Sequence, residues 1–255
     1  MTRRFRSLLI TGASAGLGAA LARAYAGPDV HLALIGRDGD RLTAVAEACR
    51  ALGTTVSQAC IDVTDTHSLR EWITAHDRLH PLDLVIANAG VANTLAGTDD
   101  TESWADIRRV FDTNVYGALA TLQPAIAGMR ARGSGQLAIV SSLGAYAGMP
   151  ISPAYNASKA ALKVYGEGLR GCLAPHGIGV SVILPGFVKS AMSDTYPGPR
   201  PFLVPTAKAA DIIKQGLSHN RASIAFPVPL HAVMWFLSLL PTPASLFLQR
   251  VFRFE

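Results

Sequence analysis

The chain has 255 residues, of which 49% are hydrophobic and only 16% charged, so a disordered or low-complexity polymer is excluded. Its 23 basic and 18 acidic residues leave a net charge of +5, yet no basic run exceeds Arg3-Arg4. That balance speaks against nucleic acid and suits an anionic small molecule or a membrane surface. At ~150 residues per domain the length gives fewer than two domains, which one sheet with its helices can absorb. Cys49, Cys60 and Cys172 are odd in number and lack C-x-x-C spacing. They are expected to be reduced core residues of a cytoplasmic protein, with no metal site. The apolar run Leu8-Leu9-Ile10 is too short for a signal-peptide core, so no secretion signal is expected.

Short β-branched or Leu-rich runs alternate with helical segments from the start. Expected strands are Ser7 to Thr11, Val30 to Gly36, Thr55 to Ile61, Leu82 to Asn88, Gln136 to Ser142, Gly179 to Leu184 and Ser223 to Phe226. Helices are predicted over Gly16 to Ala26, Arg41 to Leu52, Thr66 to His76, Ser103 to Arg132, Ala154 to Ala174 and Thr206 to His219. Strict alternation implies a doubly wound α/β fold, a parallel seven-stranded sheet with right-handed crossovers and helices on both faces. The proline-rich stretch Tyr196 to Pro205 is a candidate lid, because long loops in compact domains are usually functional.

The first strand runs into Thr11-Gly12-Ala13-Ser14-Ala15-Gly16-Leu17-Gly18 and then a helix. Glycines allow a tight turn and close backbone approach, and a helix N-terminus offers free N–H groups to a pyrophosphate, so nucleotide binding is expected here. The second strand ends in Ile35-Gly36-Arg37-Asp38. Gly36 stands where a ribose-binding carboxylate is expected, and Arg37 follows it with a guanidinium suited to a 2′-phosphate. NADP(H) is therefore favoured, with NAD(H) as the alternative in which Asp38 serves the ribose.

Tyr155-Asn156-Ala157-Ser158-Lys159 places a phenol and an ammonium at i and i+4 on one helix face. An ammonium ~4 Å away is worth ~4 kcal/mol at an effective dielectric of ~20, up to about three pKa units, which would make the phenol a general acid or base near neutral pH. Ser141-Ser142 ends a strand, where open α/β sheets place their ligands. Asn88-Ala89-Gly90 ends another, and Asn114 and Gly117 interrupt a helical pattern that disfavours both residue types.

Taken together, Thr11-Gly12-x-x-x-Gly16-x-Gly18, Asp62, Asn88-Ala89-Gly90, Asn114, Ser142, Tyr155-x-x-x-Lys159 and Pro185-Gly186 resemble the short-chain dehydrogenase/reductase family in its form of about 250 residues, from Ser7 to roughly Phe226. The resemblance implies an oxidoreductase moving hydride between NADP(H) and a carbonyl or secondary alcohol. Tyr155 would exchange the proton, Lys159 lower its pKa and bind the nicotinamide ribose, Ser142 polarise the carbonyl, and Asn114 hold a relay water. It also implies cofactor contacts from Gly12, Ser14, Ala15, Gly16, Leu17, Gly18, Arg37, Asp62, Val63, Asn88, Ala89, Gly90, Pro185, Gly186, Val188 and Ser190, the last standing where the family often has Thr. A cofactor-sensing or membrane-associated interaction protein of the same fold is the alternative, and the intact Ser142, Tyr155 and Lys159 speak against it.

Residues 1–227 are read as the nucleotide-binding catalytic domain and 228–255 as an apolar helical extension of it. From Ala222 to Gln249 there is no Asp, Glu, Lys or Arg. Leu230 to Leu240 is ~16 Å long if helical, too short to cross a bilayer. After the prolines, Phe247, Val251 and Phe254 are expected on one apolar stripe. The extension would pack on its own core or a second subunit, lie shallowly in a membrane interface, or wall a substrate pocket. The last two suit a bulky, lipid-like substrate, and a homodimer or other homo-oligomer is expected.

Overall fold

The computed structural model describes residues 2–95 and 101–251. Seven parallel strands form one sheet in the order β3-β2-β1-β4-β5-β6-β7. They are β1 (Ser7–Thr11), β2 (His31–Gly36), β3 (Thr55–Cys60), β4 (Leu84–Ala87), β5 (Gly135–Val140), β6 (Ile178–Pro185) and β7 (Ser223–Phe226). The helices are α1 (Gly16–Tyr25), α2 (Gly39–Arg50), α3 (Thr66–Leu79), α4 (Trp104–Phe111), α5 (Gly117–Arg132), α6 (Pro153–Leu173), α7 (Ala191–Asp194), α8 (Thr206–Ser218), α9 (Val228–Ser238) and α10 (Thr242–Val251). The expected strands are all present, with ends shifted by at most two residues. None of the described helices is long and apolar enough to cross a membrane.

The two-residue period of the strands sorts their side chains into two cores. Leu8, Ile10, Leu32 and Leu34 join the core under α1, α2 and α8, while Leu9, Ala33 and Ile35 join the one under α3, α5 and α6. Both faces are covered, which is why the strands read as uninterrupted apolar runs. Chain order reverses between β1 and β4, and this switch point opens a crevice beyond the carboxyl ends of the strands.

Two expectations are corrected. The single helix from Ser103 to Arg132 is divided by a π-helical turn at Asp112–Tyr116. Its causes are tertiary: Asn114 binds Val91 and Ser158 outside the helix, and Gly117 lies so close to Val63 that a Cβ there would stand 2.6 Å from Cγ2. Only Cys49 is a core cysteine, since Cys60 and Cys172 are exposed. Phe247 (65% exposed) and Val251 (59%) share one outward face of α10, as expected of the stripe, and its buried side carries Ser245 and Gln249. Phe254, the last member of the expected stripe, lies outside the described residues.

Candidate active site

The crevice is a cleft of about 920 Å³. At one end β1 turns into α1. Gly12 at φ +65° and Gly16 at φ +54° occupy left-handed conformations, and a Cβ on Gly18 would stand 2.2 Å from the Gly12 carbonyl oxygen. Asn88, at the end of β4, donates from Nδ2 to the carbonyl oxygens of Thr11 (2.9 Å) and Gly12 (3.3 Å), fastening the turn across the switch point. Asp38, Asp65 and Ser103 cap α2, α3 and α4. α1 has no side-chain cap and no acid in its first turn, so its free N–H groups remain available at a wall formed by Gly16 and Leu17. This end of the cleft fits a pyrophosphate.

Position 36 is crowded against a side chain, because a Cβ there would lie 3.1 Å from both Cβ and Oγ of Ser14. Arg37, at the rim, is 3.5 Å from Asp62 and its side chain is 63% exposed. Asp38 is engaged otherwise: it accepts from Arg41 N–H at 3.0 Å and pairs with the Arg41 guanidinium at 2.8 Å. Arg41 also lines the cleft, a second cation that the sequence reading passed over although it lies four residues after Arg37.

The other end gathers side chains from three elements. Lys159, 4% exposed on α6, donates from Nζ to the Val140 carbonyl at 3.0 Å and lies 5.6 Å from the centre of the Tyr155 ring. Ser142, just past β5, accepts from Gly144 N–H at 3.0 Å. Asn114 is fully buried behind the wall. Its Oδ1 accepts from Val91 N–H (2.8 Å) and its Nδ2 donates to Val91 O (2.9 Å) and Ser158 Oγ (3.0 Å), so the amide clamps the strand after β4 to α6.

The electrostatics differ from the expected strong depression of the phenol by its lysine. Burial dominates both groups: it raises the Tyr155 pKa above the ordinary phenol value, with the Ser142 hydrogen bond pulling the other way, and it lowers Lys159 to about 8. The ammonium sits against the Val140 carbonyl instead of the phenolic oxygen.

Of the expected site residues, Ser142, Tyr155, Lys159, Gly12, Ser14, Ala15, Gly16, Leu17, Arg37, Val63, Asn88, Ala89, Gly90, Pro185, Gly186, Val188 and Ser190 line the cleft. Asn114, Gly18 and Asp62 stand behind it. Gly18 permits the turn, and Asp62 accepts from the Thr64 N–H and hydroxyl, each at 2.9 Å. Sequence reading missed Asn156 and Met149, which also line it, while Leu230 and Met234 line it as one of the readings of the apolar extension expected. The proline-rich loop does border the cleft: Tyr196 lines it and packs on Phe187 with ring centres 5.0 Å apart. The base of the loop is pinned by Val204 N–H to Phe187 O and by Lys189 N–H to Val204 O, both 2.9 Å.

α9 buries Leu230, Met234 and Leu237 against Leu143, Val182 and Leu184. His231 Nε2 meets the Tyr146 hydroxyl at 3.0 Å, tying α9 to the loop after Ser142. The extension thus packs on its own core and walls the cleft, while Trp235, Phe236 and Leu239 remain exposed.

A doubly wound sheet with a glycine turn at its switch point is the frame of the dinucleotide-binding proteins. The model of the short chain dehydrogenase family matches residues 6–198, and the chain belongs to that family of oxidoreductases. An uncharacterized oxidoreductase of Myxococcus xanthus (strain DK1622) is 39% identical over 242 residues, 94% of each chain. The fold is also that of a short-chain dehydrogenase from Sphingobium yanoikuyae in complex with NADPH (TM-score 0.79, 24% identity, 88% of each chain). It matches too a short-chain dehydrogenase from Mycobacterium paratuberculosis bound to NAD (TM-score 0.75, 24% identity, 86% of this chain and 94% of that one).

Proposed function

We propose that the protein is an NADP(H)-dependent carbonyl reductase or secondary-alcohol dehydrogenase acting on an apolar, lipid-like substrate. The observation that carries this reading is the meeting of Ser142, Tyr155 and Lys159 at one end of a cleft whose other end is an uncapped glycine-turn helix. The nicotinamide group, when bound, supplies or accepts the hydride. Gly12 to Leu17 would hold its pyrophosphate, Asn88 to Gly90 and Val188 would border it, and Lys159 would hydrogen-bond the ribose. Ser142 would donate a hydrogen bond to the substrate carbonyl oxygen. Tyr155, kept protonated at neutral pH by its raised pKa, would deliver a proton to that oxygen on reduction and remove it on oxidation. Asn114 would fix the backbone on which a proton relay depends.

Leu143, Met149, Phe187, Leu230 and Met234 make the substrate end apolar, which supports a long-chain or ring ketone. NADPH oxidation measured with ketones of increasing chain length should therefore rise in kcat/KM with length. A flat or falling series would remove the lipid-like part of the reading.

For the cofactor, the neighbours in Sphingobium yanoikuyae and Mycobacterium paratuberculosis hold NADPH and NAD respectively, and the chain's own residues favour the first. Position 36 carries no carboxylate and is crowded by Ser14, while Arg37 and Arg41 line the cleft. Arg37→Ala should raise KM for NADPH by roughly 10- to 100-fold and leave that for NADH nearly unchanged, as expected for losing a charge-assisted phosphate contact. An unaltered NADPH preference would move the phosphate contact to Arg41, and a wild type without NADPH preference would point to NAD(H).

The exposed apolar faces of α9 and α10 support the alternative of a membrane-associated protein, and equally contact with a second subunit.

A further inference from the structure

The substrate end of the cleft contains polar atoms without a hydrogen-bond partner among the described residues. Asn156 follows Tyr155 on α6, is 3% exposed and lines the cleft, yet neither its Oδ1 nor its Nδ2 has a hydrogen-bond partner. The Tyr196 hydroxyl, buried at the same cleft, is also unpaired. Buried polar side chains nearly always find partners, because a desolvated amide recovers its lost hydration only through a new hydrogen bond. With Tyr196, Asn156 differs from the other unpaired buried groups in lining the cleft, and it stands beside the reacting side chains, where a bound molecule would supply the partner.

Its position narrows what arrives. A Cβ on Gly144 would stand 2.6 Å from Asn156 Oδ1, 3.4 Å from Met149 Cε and 3.5 Å from Ser142 Oγ, so the amide and the Ser142 hydroxyl border one small region. A carbonyl oxygen held by Ser142 and Tyr155 would bring atoms one or two carbons away within reach of Asn156. The Nδ2 group can donate to an ester, keto or hydroxyl oxygen and Oδ1 can accept from a hydroxyl, whereas an alkyl chain leaves both unmatched. The surrounding side chains, Leu143, Met149, Leu230 and Met234, are apolar, so this recognition is confined to one place.

We propose that Asn156 is a specificity-determining residue, reading a second oxygen function one or two carbons from the reacting carbonyl, and that the substrate is an oxygenated ketone on an apolar body. This rests on the carbonyl-reductase reading of the same cleft and adds to it a residue and a substrate class.

Steady-state NADPH oxidation with ethyl 3-oxooctanoate and 6-undecanone, matched in chain length and carbonyl position, tests it. The wild-type protein should favour the oxo ester by about 10- to 100-fold in kcat/KM, the span expected when a buried amide gains or lacks its partner. Asn156→Leu should bring the two within about threefold by losing oxo-ester turnover, with 6-undecanone unchanged, and Asn156→Ser should restore part of the preference. Equal losses on both ketones in Asn156→Leu, or no preference in the wild type, would overturn the proposal and leave Asn156 a packing residue. Calorimetric binding of ethyl 3-oxooctanoate to the NADP⁺-loaded protein separates the two levels. Binding weakened about tenfold or more by Asn156→Leu sustains the role of Asn156 even without turnover, whereas unchanged binding overturns it. Failure of the wild type to reduce either ketone, by contrast, counts against the carbonyl-reductase reading.

Discussion

Tyr155→Phe should lower kcat for NADPH-dependent ketone reduction by about 10²- to 10⁴-fold, the usual loss when a positioned acid is removed, while NADPH affinity stays within about twofold. The variant keeps the ring that faces the cleft and removes one oxygen, so the fold and the glycine turn are untouched. Fluorescence titration of NADPH beside single-turnover reduction checks both halves. Turnover retained within about tenfold would transfer the proton-donating role to another group. The pH profile carries a second signature. Burial raises the Tyr155 pKa, so the phenol is in its acid form at neutral pH and reduction should be flat there. Lys159 loses its proton at about 8, so the first change on the alkaline side should come from the ammonium. Because the two groups share one buried site, the observed limbs belong to the pair.

The second large effect concerns stability at acid pH, at the opposite ends of the strands. His31, His76 and His80 cluster with ring centres 4.0 to 5.2 Å apart, and Trp72 stacks on His76. His76 is 7% exposed and its Nε2 is unpaired. Burial, with the neighbouring His31 and His80, lowers its pKa to about 4, and Asp77 only partly opposes this. His31 is lowered as well, by burial and by His80. An unfolded imidazole takes its proton near ~6.5. Between that pH and about 4 the unfolded chain therefore binds more protons than the folded one, and stability falls as the pH drops through this window. For His76 the full loss is on the order of 3 kcal/mol. His76→Leu should leave stability near pH 7.5 within about 1 kcal/mol and flatten the decline toward pH 4.5, as read from urea midpoints. A decline as steep as in the wild type would place the acid sensitivity elsewhere.

Much of the fold was legible because its signals are local. Alternating strand and helix runs dictate a parallel sheet, and glycine at Gly12 and Gly16 marks a turn that other residues resist. The i, i+4 spacing of Tyr155 and Lys159 places them on one helix face whatever surrounds them. Ser142 and Asn114 became candidates through their company more than through any signal of their own. The long helix was misread because its interruption depends on Val91 and Ser158, partners distant in the chain from Asn114. On α10 the hydrophobic period did report which residues share a face, since Phe247 and Val251 share one, but what covers that face is a property of the packing.

The sequence by itself determined the class of fold, the crevice at the switch point and the residue types available for chemistry, since these follow from periodicity, turn-forming glycines and short-range spacing. Only the tertiary structure decided the electrostatics and the polar bookkeeping of the cleft. Spacing brings an ammonium near a phenol, but burial decides that Tyr155 is raised and that Lys159 falls to about 8. Spacing puts Asn156 beside Tyr155, but three-dimensional packing leaves its amide without a partner among the described residues. Desolvation and hydrogen-bond satisfaction depend on all the atoms gathered around a group, and most of those come from distant parts of the chain.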